Sequence, residues 1–241
     1  KANNTTNLNI GSSWVGSVLP NASSTVVWNS TVTAANTTVL GTDLTWAGIT
    51  ITNPTGAVTI NAGNTLTIGA NVTDINMSAS AVNLTLNCAM MLDDANVWNV
   101  GTSRVLTVGG VVAGDFSISK EGAGTLIMTG VNTYTGDTIL GSNAGIWEIG
   151  GAGKIGNGTY AGAVEIGSGS TFRYNSTAAQ SLNGELRGTG SLVKNASSTL
   201  TLAAANPDFT GDIAINAGSL NLSDVSALGT ASSLTIAGGT S

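Results

Sequence analysis

The 241-residue chain has no histidine, one cysteine and three prolines, and only 8% of its residues are charged. An ordinary soluble domain carries roughly 25% charge. Each scarcity excludes something. Without histidine there is no Ser-His-Asp or Cys-His catalytic set. Cys88 alone closes no internal disulfide. In LNCAMML, with no cationic neighbour, it reads as a small core hydrophobe and not a reactive thiol. Three prolines among 33 glycines fit neither collagen nor a Pro-rich linker. Seven Lys and Arg, scattered over a chain of formal charge −6, form no basic patch for nucleic acid. No apolar run approaches the ~18 residues of a membrane span. Thirteen acids include one adjacent pair, Asp93-Asp94, and no D-x-D-x-D-G calcium spacing. That pair reads as an acidic turn. The glycines at 150–153 and 188–190 lack the lysine or helix of a phosphate cradle and read as corners. We therefore expect no enzyme, and assign no catalytic, cofactor-binding or metal residue.

What the chain does contain is Thr, Ser, Asn, Gly, Val and Ile, a mix that favours strands and turns. Two apolar residues at i and i+2 recur throughout, as in Leu8/Ile10, Val58/Ile60, Leu84/Leu86, Leu106/Val108, Phe116/Ile118, Trp147/Ile149, Ile213/Ile215 and Leu234/Ile236. This is period-2 patterning over very short strands. Related pairs return after about 20 residues: Leu126 to Trp147, Leu200 to Leu220, Ile213 to Leu234. Two or three short strands per ~20-residue coil predict a β-solenoid of roughly ten coils, about 45–50 Å long.

Longer phrases repeat as well. Residues 120–140 and 194–215 share Lys120/Lys194, Thr125/Thr199, Leu126/Leu200 and Asn132/Asn206, each 74 apart. After one inserted residue, Gly136/Gly211 and Asp137/Asp212 match. A third phrase at 53–69 echoes 206–222. Asn132 and Asn206 are candidate corner residues that ladder to neighbouring coils. Residues 2–42 carry no charge. We divide the chain there: 1–42 as a candidate docking or strand-donating segment, 43–241 as the solenoid. The C-terminal SLTIAGGTS also lacks a charged cap, so both ends are expected to be open to end-to-end stacking.

The run Gly122, Gly124, Thr125, Leu126, Gly130, Asn132, Thr133, Tyr134, Gly136, Thr138 resembles the autotransporter-associated β-strand repeat, worded G-x-G-T-L-x-L-x-G-x-N-T-Y-x-G-x-T. Around Asn206 and Gly211 the second copy is degenerate, with Ser197-Ser198 and Pro207-Asp208-Phe209 in place of the usual A-G and T-Y. The stretch from Trp14 to Val108 is similar to wall-building parts of large bacterial surface proteins. The resemblance implies an all-β, right-handed parallel β-solenoid, secreted or displayed on a cell surface, either a passenger piece or a free-standing protein. The first functional expectation is a structural subunit that pairs with copies of itself into a fibre. The alternative is an adhesin passenger that binds a glycan or a neighbouring surface. A polysaccharide-active enzyme is disfavoured by the missing carboxylate cluster. Trp28 and Trp147 read as core. Trp14, after GSS, is the candidate contact to a glycan or to a neighbouring subunit. Twelve Asn-x-Ser/Thr triplets leave glycosylation open.

Overall fold

Alternating residues on strands this short can bury one face only if another strand covers it, so the coils must stack. The computed structural model describes residues 1–69 and 72–237. Its strands form three faces of parallel sheet, visited in order once per coil. Face one has eight strands, from Thr25–Trp28 to Leu186–Gly188. Face two has ten, from Asn36–Val39 to Ser233–Ile236. Face three is two four-stranded pieces, Leu44–Trp46 to Val112–Ala113 and Thr159–Tyr160 to Ser219–Leu222. At about 4.8 Å per coil, the ten strands of face two span roughly 43 Å. The chain is an all-β parallel solenoid of about ten turns.

Register is carried by inward columns. On face two one column runs Val58, Leu84, Leu106, Leu126, Trp147, Phe172, Leu192, Ile213. Its neighbour runs Ile60, Leu86, Val108, Met128, Ile149, Tyr174, Lys194, Ile215. A one-residue slip would turn a whole column outward, so burial fixes the register. The recurring apolar pairs are these columns, cut once per coil.

Corners require close backbone approach. A Cβ on Gly136 would lie 2.2 Å from the Phe116 carbonyl carbon, and one on Gly184 2.1 Å from the Gly162 oxygen. Gly122 adopts φ +71°, where a side chain is strained.

Three sequence expectations change. The solenoid begins before residue 43, because Thr25–Trp28 and Asn36–Val39 are its first rungs and pair with 48–51 and 58–61. The N-terminal end is covered, not open. Leu8 and Asn9 donate to the carbonyls of Val39 and Leu40, both at 3.0 Å, and the terminal amine donates to Val27 O at 2.7 Å. Beneath this cover Leu8 is fully buried. The cap works through backbone bonds and an apolar plug, so counting its charges was the wrong test. Phe116 is exposed although Ile118 is buried; it sits before the strand Ile118–Glu121, at a corner. At the other end Leu222, Leu234 and Ile236 are 46–53% exposed. Of SLTIAGGTS, residues 238–241 lie outside the described residues.

Candidate functional site

Four of the five tryptophans, Trp28, Trp46, Trp98 and Trp147, are almost wholly buried. Trp14 is 6% exposed and is not a free contact residue. Its ring meets Trp28 and Trp46 edge to face, with centroids 6.0 and 5.8 Å apart, and its Nε1 donates to Leu8 O at 2.9 Å. A large amphipathic ring with a carbonyl in reach is more stable as the plug of the first coil than in water.

The repeat residues build the interior. Val112 N–H donates to Asn132 Oδ1 at 3.0 Å, while Asn132 Nδ2 donates to Gly130 O and Lys154 O, both at 2.9 Å. One buried amide thus satisfies backbone of the coil below, its own coil and the coil above. Here the face-three ladder is interrupted, and without the amide the Val112 N–H would lose its partner, while the Gly130 and Lys154 carbonyls would keep backbone N–H donors at 3.1 and 2.9 Å. Asn206 does the same, accepting from Leu186 N at 2.7 Å and donating to Ala227 O. Both asparagines bond to backbone rather than to one another, so they are bridges and not an Asn–Asn ladder.

Tyr134 and Thr138 belong to a buried hydroxyl chain. Tyr134 Oη lies 2.6 Å from Thr138 Oγ1, which lies 2.8 Å from Tyr160 Oη, and Tyr160 donates onward to Gly136 O. The two rings pack at 5.6 Å, edge to face. Burial pushes both phenols above their usual range. Gly124 and Gly130 lie where a Cβ would meet Gly101 O and Gly110 O at 2.3 Å, and Gly211 where it would meet Gly190 O at 1.7 Å. Thr125 opens a strand and Leu126 fills the core. Thr133 is exposed, and its N–H donates to Val112 O at 2.9 Å.

Sequence reasoning recorded Lys120 and Lys194 as matching letters and missed their role. Both are buried. Lys120 stacks between Trp98 and Leu140, with Nζ donating to the carbonyls of Gly122 and Ala144. Lys194 Nζ donates to Ala196 O and lies 5.7 Å from the Tyr174 ring centroid. Each ammonium pins the turn after its own strand and, through Ala144 or Ala217, the turn one coil above. Burial pushes the Lys120 amine down to about 8 and lowers that of Lys194. The 74-residue recurrence of a lysine in a chain with so few was the available signal.

No groups of three or more potential metal-binding side chains occur among the described residues. Asp93 and Asp94 are exposed at a corner. Cys88 is buried, and burial pushes its thiol up to about 11. The described residues contain no helix long and apolar enough to cross a membrane.

The family model of the passenger-associated-transport-repeat matches residues 118–146 and 192–222. Those two stretches are similar to passenger-associated-transport repeats. It is also similar to a protein described as the adhesin BmaC autotransporter from Brucella suis biovar 1 (strain 1330), 30% identical over 144 residues. That match covers 49% of this chain and 4% of the much longer relative. No solved structure gives a significant match. Passenger repeats of this kind mark a secreted or cell-surface protein.

The two passenger repeats do not sit above one another. The first starts on face one with Ile118–Glu121 and turns onto face two with Thr125–Met128. The second starts on face two with Ser191–Lys194 and turns onto face three with Thr199–Leu202. Coils advance by 20 to 26 residues along face two, so 74 residues are three coils and about one further face. The passenger repeat therefore encodes a corner and its two flanking strands, and it serves at more than one corner of the prism.

Proposed function

We propose that this chain is a segment of an autotransporter passenger: a rigid, non-enzymatic rod displayed at the cell surface that adheres through its outward side chains. The carrying observation is the pair of passenger repeats set within a continuous parallel solenoid. The adhesin relative supports the same reading. The cover over the N-terminal rung removes one of the two open edges that end-to-end polymerisation would use. Displayed on a non-adherent bacterium, the chain is expected to raise attachment to host cells or to neighbouring bacteria. Attachment no greater than with an empty display scaffold would overturn the adhesive part.

A fibre of identical subunits keeps support from apolar side chains exposed at both ends, Leu222, Leu234 and Ile236 at the last described strands and Ile10, Val15, Val18 and Leu19 on the N-terminal cover. A further coil would cover those of the last strands as well as a second copy would. Electron microscopy and sedimentation over a concentration series separate the readings: separate short rods are expected, and filaments with a repeat near ~43 Å would restore the fibre.

A further inference from the structure

Outward columns of the lower coils hold runs of threonine, such as Thr37, Thr59, Thr85 and Thr107 on face two, and face three departs from this early. The face-three column that reads Thr45, Thr67 in its first coils becomes Met91, Ala113. On the same face Val111 lies one coil above, since Met90 N–H donates to its carbonyl at 2.8 Å. Val131 follows on the next coil, bridged in turn to Lys154. Phe116 stands at the adjoining corner beneath Gly136. Met91, Val111 and Phe116 are each 41% exposed and Val131 is 40% exposed. Four large apolar side chains thus open outward on three successive coils, on the side of the rod and away from both ends. The strands of face three pause here, between Val112–Ala113 and Thr159–Tyr160.

Carboxylates border the patch. Met91↔Ala113 and Asn96↔Ile118 are paired, so the intervening corners align residue for residue. That sets Asp93 below Asp115 and Asp94 below Phe116. All three aspartates are exposed, and none takes part in the salt bridges among the described residues. Thr135 Oγ1 donates to Asp115 Oδ1 at 3.0 Å and fixes it at the edge. The one cation at the border is Lys154, beside Val131.

We propose that this patch docks a cationic, apolar-bearing polypeptide segment, its aliphatic or aromatic side chains covering Met91, Val111, Phe116 and Val131 and its Lys or Arg facing Asp93, Asp94 and Asp115. The proposal deepens the adhesive reading and rests on it for its biological setting. Charge selects the occupant. A second copy would bring aspartates against aspartates in a chain of net charge −6, and like charges across an interface disfavour it. An anionic bilayer surface is disfavoured for the same reason. Apolar contacts at the centre with complementary charge at the border are the anatomy of a specific protein interface.

The test uses labelled synthetic peptides of alternating Lys and Leu, Glu and Leu, or Lys and Ser, titrated into the chain by fluorescence anisotropy. Saturable binding of the Lys/Leu peptide is expected, weakened about tenfold or more by Phe116→Ser with Val131→Thr. Asp93→Asn with Asp94→Asn and Asp115→Asn should weaken it and also flatten its salt dependence. Met91→Thr, which restores the threonine of its own column, provides a second apolar variant if the double variant does not fold. Equal binding by the variants, or by the Glu/Leu or Lys/Ser peptide, overturns the proposal. So does dimerisation that Phe116→Ser with Val131→Thr abolishes, since the patch would then be a contact between copies. The displayed chain separates the two readings. Adhesion that survives the patch variants leaves the adhesin reading standing and sinks this site, whereas peptide binding without adhesion does the reverse.

Discussion

Lysine is an unexpected choice for a position between Trp98 and Leu140, and its energetics are testable. The Lys120 ammonium is held by turn carbonyls, yet desolvation lowers its pKa from 10.5 to about 8. Between those values the unfolded chain keeps a proton that the folded chain has released. Folding stability therefore rises with pH across that window. The side chain of Lys1, also lowered to about 8, acts in the same direction. Cys88 acts oppositely. Its thiol is raised from 9.0 to about 11, so the unfolded chain ionises first and stability falls above pH 9. The raised phenols of Tyr134 and Tyr160 add to that fall above pH 10. A net rise is thus expected from pH 8 to 9. A lysine with these two pKa values supplies about 1 kcal/mol of it. Urea unfolding at pH 8 and 9 should show a gain that Lys120→Met reduces by about that amount; an unchanged gain in the variant would clear Lys120 of the effect. The sequence displayed this lysine twice, but its partners are carbonyls one turn and one coil away. Those relations exist only once the stacking is known. The same holds for Asn132, whose backbone partners Val112 and Lys154 lie 20 and 22 residues off in the chain.

Elements were the most legible level, because each strand is a local pattern. Val58/Ile60, Leu106/Val108 and Trp147/Ile149 are inward pairs of face two, as their alternation required. Leu8/Ile10 was misleading, since it lies in the cap and only Leu8 is buried, with Ile10 43% exposed. Corners were legible as glycine but not as contact. Gly136, Gly162 and Gly184 form one column in which each would drive a Cβ into the backbone below, at 2.2, 2.6 and 2.1 Å. Gly141, at another corner, would meet its nearest atom at 3.5 Å. Gly136→Ala must then push whole coils apart, whereas Gly141→Ala makes an ordinary contact. Overpacking costs of this kind run to about 1–3 kcal/mol and sometimes more. A loss of at least ~2 kcal/mol is expected for Gly136→Ala and under ~0.5 kcal/mol for Gly141→Ala, read from denaturant midpoints at constant slope. Equal losses would mean that corner sterics do not set the coil spacing.

For the whole molecule, the ends and the phase of the repeats decide behaviour, and neither is local in sequence. The cap over the first rung carries the alternating pair Leu8/Ile10 yet folds as turns and not as a strand, so neither that pattern nor a count of charges reveals it. The two passenger repeats start 74 residues apart in the chain, yet the physical unit is the coil. If the rod is a stack of nearest-neighbour interfaces, removing one coil in register should leave a shorter rod, even where the excision deletes the repeat motif itself. Ile118 pairs with Thr138, and Val105 pairs with Thr125, which pairs with Ile146. Deleting Ile118 through Asp137 joins Ser117 to Thr138 and lowers the upper coils one step, with every face still above its own column. Deleting Ile118 through Met128 removes nearly as much core but brings a face-three segment to follow face three and moves later strands off their columns. The first variant is expected to keep the strand signature by circular dichroism and a cooperative urea transition, with a rod about 4.8 Å shorter by small-angle scattering. The second is expected to lose the transition or aggregate through unpaired edges. If the in-register deletion unfolds as completely as the other, the Asn132 bridge and the Tyr134–Thr138–Tyr160 chain are indispensable to the whole rod, and stability is not additive along the stack.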